Sequence, residues 1–207
     1  MNTLYFAPGA CSIGIHILLE EIGAPYGLEK VNLMEGEQHK PGYLAVNPKA
    51  KVPSLKRDDG SIITEYPAVA YWLAGTNPDK KLWPADLESQ VLALETLDYI
   101  TGTVHTHGYA RIFRPGNFTP EETHHDAVKA KGADIGAKGL AILEKKLAGR
   151  DWLCGAFSIA DTAIFFLCFW HVTRLKGELS PNLAGHYARM LARPSVQAVL
   201  KQEGFAT

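Results

Sequence analysis

The residue best placed to do chemistry is Cys11. It follows Pro8-Gly9-Ala10, between a short β-type run, Thr3 to Phe6, and a helical pattern with Ile15, Leu18, Leu19 and Ile22 on one face. A thiol at such a junction faces the free N–H groups of a helix N-terminus, which favour the thiolate. Similar positions bring a cysteine pKa from about 8.5 down to roughly 3.5–7.5. Ser12 offers a hydroxyl at the same place. The plain alternative is a buried cysteine beside a serine N-cap.

Two further segments could hold a ligand. Val52-Pro53 opens a strand after a loop. A cis bond there would turn the Val52 N–H and C=O toward solvent, where an extended peptide could dock as an added strand. An ordinary trans proline at a strand start is the alternative. Thr64-Glu65-Tyr66 lies where a strand meets a helix. Glu65 would either cap that helix or bind a ligand ammonium, while free N–H groups take a carboxylate.

Other polar residues are weaker candidates. His105 and His107 stand two apart, about 200° around a helix, so they form no joint metal face. His124 and His125 are adjacent and share the problem. No H-E-x-x-H or Cys/His cluster occurs, so no metal is expected. A single histidine would lend charge or a hydrogen bond to a thiolate. Arg111 and Arg114 stand just past the same helix, where they would attract acidic electrophiles or simply be solvated.

Composition removes several classes. The 207 residues carry 21 Lys+Arg against 22 Asp+Glu, a net charge of −1, without the basic excess of a nucleic-acid binder. No apolar window reaches the 18 or so residues of a membrane span, and the N-terminus lacks a basic, then apolar, leader pattern. Cys11, Cys154 and Cys168 are an odd number at wide spacing without C-x-x-C, which points to a reducing cytoplasm. Nucleotide, nicotinamide and serine-hydrolase motifs are missing.

The elements that must position these residues change character at mid-chain. The first part reads as strand, helix and a second strand at Glu29 to Leu33. A hairpin over Asp59-Gly60 and a helix from Glu65 or Tyr66 follow. From Leu87 onward the pattern is helical. One long helix runs to about His107. A second is capped by Thr119 with Pro120 at N1 and runs to about Leu147. Ser158-Ile159-Ala160-Asp161 resembles a capping box opening an apolar helix to about Leu175, and two shorter helices follow. The expected division is 1–79, a linker at 80–86 holding Trp83-Pro84, and 87–207.

Four elements in order carry a resemblance: Tyr5-Phe6-Ala7-Pro8-Gly9-Ala10-Cys11-Ser12 with His16-Ile17, Asn47-Pro48-Lys49-Ala50-Lys51-Val52-Pro53, Thr64-Glu65, and Ser158-Ile159-Ala160-Asp161. From Leu4 to about Gly204 the chain is similar to cytosolic glutathione transferases, most of all the bacterial Beta class. The resemblance implies a thioredoxin-like N-terminal domain (βαβ-ββα) packed on an all-α C-terminal domain, a homodimer, and glutathione as co-substrate for a detoxifying conjugation. It implies Cys11 or Ser12 against the glutathione sulfur, the Val52-Pro53 turn on the cysteinyl backbone, and Glu65 and Tyr66 at the γ-glutamyl end. Tyr66, followed by Pro67, would act through its backbone N–H. His105 matches the Beta histidine near the sulfur. The stretch His105-Thr106-His107-Gly108-Tyr109 is one residue longer than the pattern, so His107 remains an alternative. Thr103 and Val104 would line that region, and Asp98 would reach across the dimer. Gln38 or His39 would stand in for a missing lysine at the glycine carboxylate. Tyr109, Arg111 and Phe113 would line the electrophile cleft. A glutathione-dependent disulfide reductase and a noncatalytic binding module are the competing readings.

Overall fold

The computed structural model describes residues 1–205. Strand β1, Asn2–Phe6, runs into helix α1, Ser12–Ile22, which ends at Gly23 with φ 74°. β2, Tyr26–Lys30, follows directly. It lies earlier than the Glu29 to Leu33 expected, because Asn32 is taken by a turn, its side chain accepting from Met34 N and Glu35 N. A short helix α2, Pro41–Leu44, precedes β3, Ser54–Lys56, and β4, Ile62–Thr64. Helix α3 covers Tyr66–Thr76. The sheet order is β2-β1-β3-β4. β1 pairs parallel with β2 and antiparallel with β3, with Leu4 opposite both Leu28 and Leu55. This is the thioredoxin-like arrangement the resemblance implied.

The rest is helical. α4, Leu87–Asp98, starts on an Asp86 side chain that accepts from Ser89 N at 2.9 Å. It continues without a break through a wide π-type stretch, Tyr99–Tyr109, into α5, Ala110–Phe113, well past the expected end at His107. In that stretch Thr106 Oγ1 donates to the Thr101 carbonyl, and the Ala110 N–H reaches back to His105. A π segment fits one residue more per turn than an α-helix.

Helix α6 is His125–Lys146. Thr119 does not cap it: its hydroxyl accepts from Glu121 N, Glu121 is extended, and a 3-10 turn at Glu122–His124 intervenes. α7, Ile159–Thr173, is central, with every side chain from Ile159 to Trp170 buried. α8, Pro181–Leu191, and α9, Pro194–Gln202, close the bundle.

The two halves share one core. Helix α1 packs against α7 and α9. Gly14 makes this possible, since a Cβ there would stand 2.3 Å from the Tyr66 hydroxyl and 2.7 Å from the Thr162 carbonyl. Arg193 grips Glu21 with two bonds, 2.7 and 2.8 Å long.

The α7 cap is real and extends beyond the box. Asp161 is fully buried and accepts from Ser158 N at 2.8 Å, Ser158 Oγ at 3.0 Å, Leu153 N at 3.0 Å and His186 Nε2 at 3.0 Å. Asp161→Ala would strand these buried donors, and losing one partner of a buried network costs roughly 3–5 kcal/mol. Urea unfolding should show a loss of that size. A shift under about 1 kcal/mol would refute the network's importance.

Candidate functional site

The site is built where β1 ends. Ala7 to Ala10 form a tight turn in which Gly9 adopts φ 64°, and Cys11 stands at the head of α1. The Ser12 hydroxyl is committed to this turn: it donates to the Ala7 carbonyl and accepts from the Ala7 N–H, both at 3.2 Å, and it is fully buried. The structure therefore gives Ser12 a turn-holding place, with both of its hydroxyl bonds made to Ala7.

Cys11 Sγ donates to the Val52 carbonyl at 3.4 Å. The Val52-Pro53 bond is cis. This turn is held by Asn47, whose Nδ2 donates to the Lys51 carbonyl at 2.8 Å, and by the Tyr43 hydroxyl on the same oxygen at 2.7 Å. The sulfur and the backbone of this cis turn thus lie side by side.

The charge state of Cys11 is not the one its position suggests. Burial pushes its pKa up to about 12, outweighing the pull of its own N–H, that of Ser12, and the charges of Arg114 and Lys51. The helix N-terminus acts as expected but loses to desolvation. At neutral pH Cys11 is a thiol, a hydrogen-bond donor.

His105 turns inward, its ring 5.0 Å from Trp170 and 5.3 Å from Phe166. Burial, then the Lys51 and Arg114 charges, bring its pKa down to about 4, so it is neutral. The lent positive charge considered from sequence does not come from this residue. His107 is exposed and its carbonyl accepts from Arg111 Nη1 at 2.7 Å.

Glu65 begins α3 with φ 72°, a strained conformation for a non-glycine residue of the kind that gathers at binding sites. Its carboxylate is paired with Lys49 Nζ at 2.8 Å, both half exposed. The Tyr66 side chain is buried and its hydroxyl bonds Thr162 Oγ1 at 2.8 Å, leaving only its backbone for a ligand. Gln38 is buried with its side-chain carbonyl unpaired among the described residues, and His39 beside it is exposed.

The other expected residues take varied places. The Val104 side chain is fully buried against α6, where a Cβ on Gly139 would stand 2.5 Å from its Cγ2. Thr103 and Asp98 are exposed on the outer face. Of the three expected cleft residues, Phe113 is half-buried with its ring 5.6 Å from Trp170. Tyr109 is a wall residue, 1% exposed and bonded to His171. Arg111 faces away, its guanidinium 4.2 Å over Phe118. Arg114 and Lys51 are the cations whose fields reach Cys11 and His105. Sequence alone does not single them out there, because proximity to residue 11 arises only on folding. Among the described residues no group of three or more His, Cys, Asp or Glu could hold a metal, and no helix is long and apolar enough to cross a membrane.

Comparisons with known proteins agree with this geometry. Residues 9–76 match the family model of the glutathione S-transferase N-terminal domain, and residues 91–194 that of the C-terminal domain. The chain is 37% identical over 205 residues to glutathione S-transferase GstA of Escherichia coli O157:H7, covering 97% of this chain and 98% of that one. A glutathione transferase homolog from Sulfitobacter, solved with bound glutathione, superimposes with a TM-score of 0.91 at 30% identity, covering 100% of this chain and 99% of that chain. A beta-class enzyme of Sphingomonas chungbukensis gives 0.85 at 31%, covering 99% and 100%.

His105 makes stability depend on pH. Its folded pKa lies near 4, below about 6.5 in an unfolded chain, so the unfolded state binds more protons between these values. Stability is undiminished above pH about 6.5 and is withdrawn as pH falls toward 4. Between pH 7 and 5 the wild type should lose up to about 2 kcal/mol more than His105→Gln in urea unfolding. Equal losses would show that His105 is not held neutral.

Proposed function

We propose that this chain, which belongs to the glutathione S-transferase family, binds glutathione on its thioredoxin-like half and presents the thiolate to a small hydrophobic electrophile. The observation that carries the reading is the Cys11 thiol against the Val52 carbonyl. It sets a donor for sulfur beside an edge for the cysteinyl backbone. When the glutathione N–H pairs with that carbonyl, the S–H of Cys11 is released to donate to the glutathione sulfur. The N–H groups at the head of α1 and the charges of Lys51 and Arg114 favour the anion there. The neutral His105 adds a polar edge. Glu65, exchanging Lys49 for the γ-glutamyl ammonium, and the Tyr66 N–H, taking the carboxylate, hold the other end. Gln38 is the candidate for the glycine end, where only its side-chain NH2 could donate to the carboxylate, since the unpaired atom, Oε1, is an acceptor. In the reaction the thiol proton leaves to solvent, a C–S bond forms, and the leaving group departs with its electron pair.

The disulfide-reductase alternative requires Cys11 itself as the attacking thiolate. Burial holds it protonated, which favours the hydrogen-bonding role. A reducing cytoplasm suits three free cysteines of this kind.

We also infer a homodimer. On α4, Leu87, Val91 and Leu94 are 75%, 53% and 50% exposed and share one face with Asp98. Tyr71 on α3 is likewise exposed. Such an apolar face suits a second copy, with Asp98 at its end able to reach the partner.

Two measurements test these readings. Conjugation of glutathione to 1-chloro-2,4-dinitrobenzene should be measurable and should fall about tenfold or more in Cys11→Ala, the scale of one lost hydrogen bond to an anionic sulfur. Intact mass after incubation with oxidised glutathione should show little adduct at neutral pH. A full Cys11 adduct with unchanged conjugation in Cys11→Ala would favour the redox reading. Absence of both conjugation and glutathione binding would leave the binding module. Separately, Val91→Glu with Leu94→Glu should turn a dimer into a monomer in light scattering, and a dimer that survives both changes would place the interface elsewhere.

A further inference from the structure

The transferase reading leaves open what the second substrate is, and the wall opposite the thioredoxin-like half narrows it; this inference rests on that reading. The wall is aromatic. His105 lies 5.0 Å from Trp170, and Trp170 lies 5.6 Å from Phe113. Trp170 is buried, while His105 and Phe113 are only half-buried. The wall is fixed to the Cys11 turn, because Trp170 Nε1 donates to the Gly9 carbonyl at 2.7 Å.

Two guanidiniums border this wall. Arg174 lies over the Phe113 ring at 5.7 Å and donates to the same Gly9 carbonyl at 2.9 Å. Arg114 follows Phe113 directly at the end of α5. It is exposed and, among the described residues, its side chain has neither an ion pair nor a hydrogen bond. The two cations are near enough to oppose each other: burial first, then the Arg114 charge, lowers the pKa of Arg174. The charged groups acting on Cys11 and His105 are again cations, Arg114 and Lys51. Lys51 adjoins Val52, in the thioredoxin-like half. Arg114 and Arg174 belong to the helical half, on the electrophile's side. Unneutralised cations beside a planar apolar wall raise the local concentration of an anion and relieve their own repulsion when one binds.

We propose that Arg114, backed by Arg174, selects electrophiles that carry a carboxylate or similar anionic group on an aromatic ring. The ring lies on Phe113 and His105, the anion faces Arg114, and the carbon bearing the leaving group is left toward the sulfur above Cys11. Arg111, which the same stretch of sequence offered equally, is turned away to His107 and Phe118.

The test uses two electrophiles that differ only in charge, 4-chloro-3-nitrobenzoate and 4-chloro-3-nitrobenzamide. In both, the glutathione thiolate forms a C–S bond, and chloride leaves with the C–Cl electron pair. The readout is the ratio of kcat/KM for the two, corrected for their uncatalysed rates with glutathione. Wild type should favour the benzoate. Arg114→Gln should lower kcat/KM for the benzoate about tenfold more than for the benzamide, the excess appearing in KM for the benzoate, while any loss common to both reads the weaker field at the glutathione sulfur; Arg114→Glu should widen the difference. Lys145→Gln, an equal loss of charge on the far face of α6, should change neither. A benzoate preference that survives Arg114→Gln overturns the inference. So does a loss equal for both substrates with a raised KM for glutathione, which would assign Arg114 to the peptide instead. Conjugation of the benzamide without any benzoate preference in wild type sinks this inference alone, whereas no conjugation of either compound and no glutathione binding sinks the transferase reading with it.

Discussion

The peptide groups of Gly9 are held almost entirely from the far end of the chain. The Gly9 N–H donates to Glu203 Oε2 at 2.7 Å, and the Gly9 carbonyl accepts from Trp170 and Arg174. Glu203 is itself buried and bound through its other oxygen to His16 Nδ1 at 2.9 Å, and His16 Nε2 meets Gln202 and Tyr26. A carboxylate without such partners would be costly at this depth, so each bond depends on the others. The turn that places Cys11 is therefore set by the C-terminal residues as much as by β1 and α1. The lateral packing follows from it. With α1 fixed at its head and at Gly14, α7 has one position, and the aromatic wall it carries falls opposite the sulfur.

Within that frame, opposing electrostatic effects decide the chemistry. A helix N-terminus and two cations act to ionise Cys11, yet burial keeps it protonated. The same depth keeps His105 neutral. The groups nearest the sulfur are thus neutral, and the fixed positive charge sits one layer further out, on Lys51 and Arg114. A site of this kind stabilises an anion brought by a ligand more readily than it generates one of its own.

Much of this is legible from residue order, and the failures have physical causes. The Cys11 turn, the Val52-Pro53 turn, Glu65 at a helix start and the Ser158 box are local signals, written in adjacent residues. The sequence misplaces β2 because it is an edge strand without buried alternation, half-buried at Tyr26 and Gly27 and exposed from Leu28 to Lys30. Thr119 reads as a cap because Pro120 and two acids follow it, but its hydroxyl is taken up by a turn. Helix pitch hides the rest. The resemblance names Tyr109, Arg111 and Val104 by their order along the chain, whereas the wide stretch from Tyr99 to Tyr109 sets which way each side chain turns. Glu203, Trp170 and Arg174 give no sign at all, since their partner is Gly9, far away along the chain.

The pair between Lys49 and Glu65 would make the proposed ligand entry an exchange. On the proposed binding mode a γ-glutamyl ammonium would take the place that Lys49 fills, exchanging one half-exposed, salt-screened ion pair for another on the same carboxylate. Dissolved salt weakens both alike and nearly cancels from the balance. In that exchange the resident lysine would work as an ionic-strength buffer: it would lower the gain from the new pair and hold that gain constant across conditions in which a bare carboxylate would not.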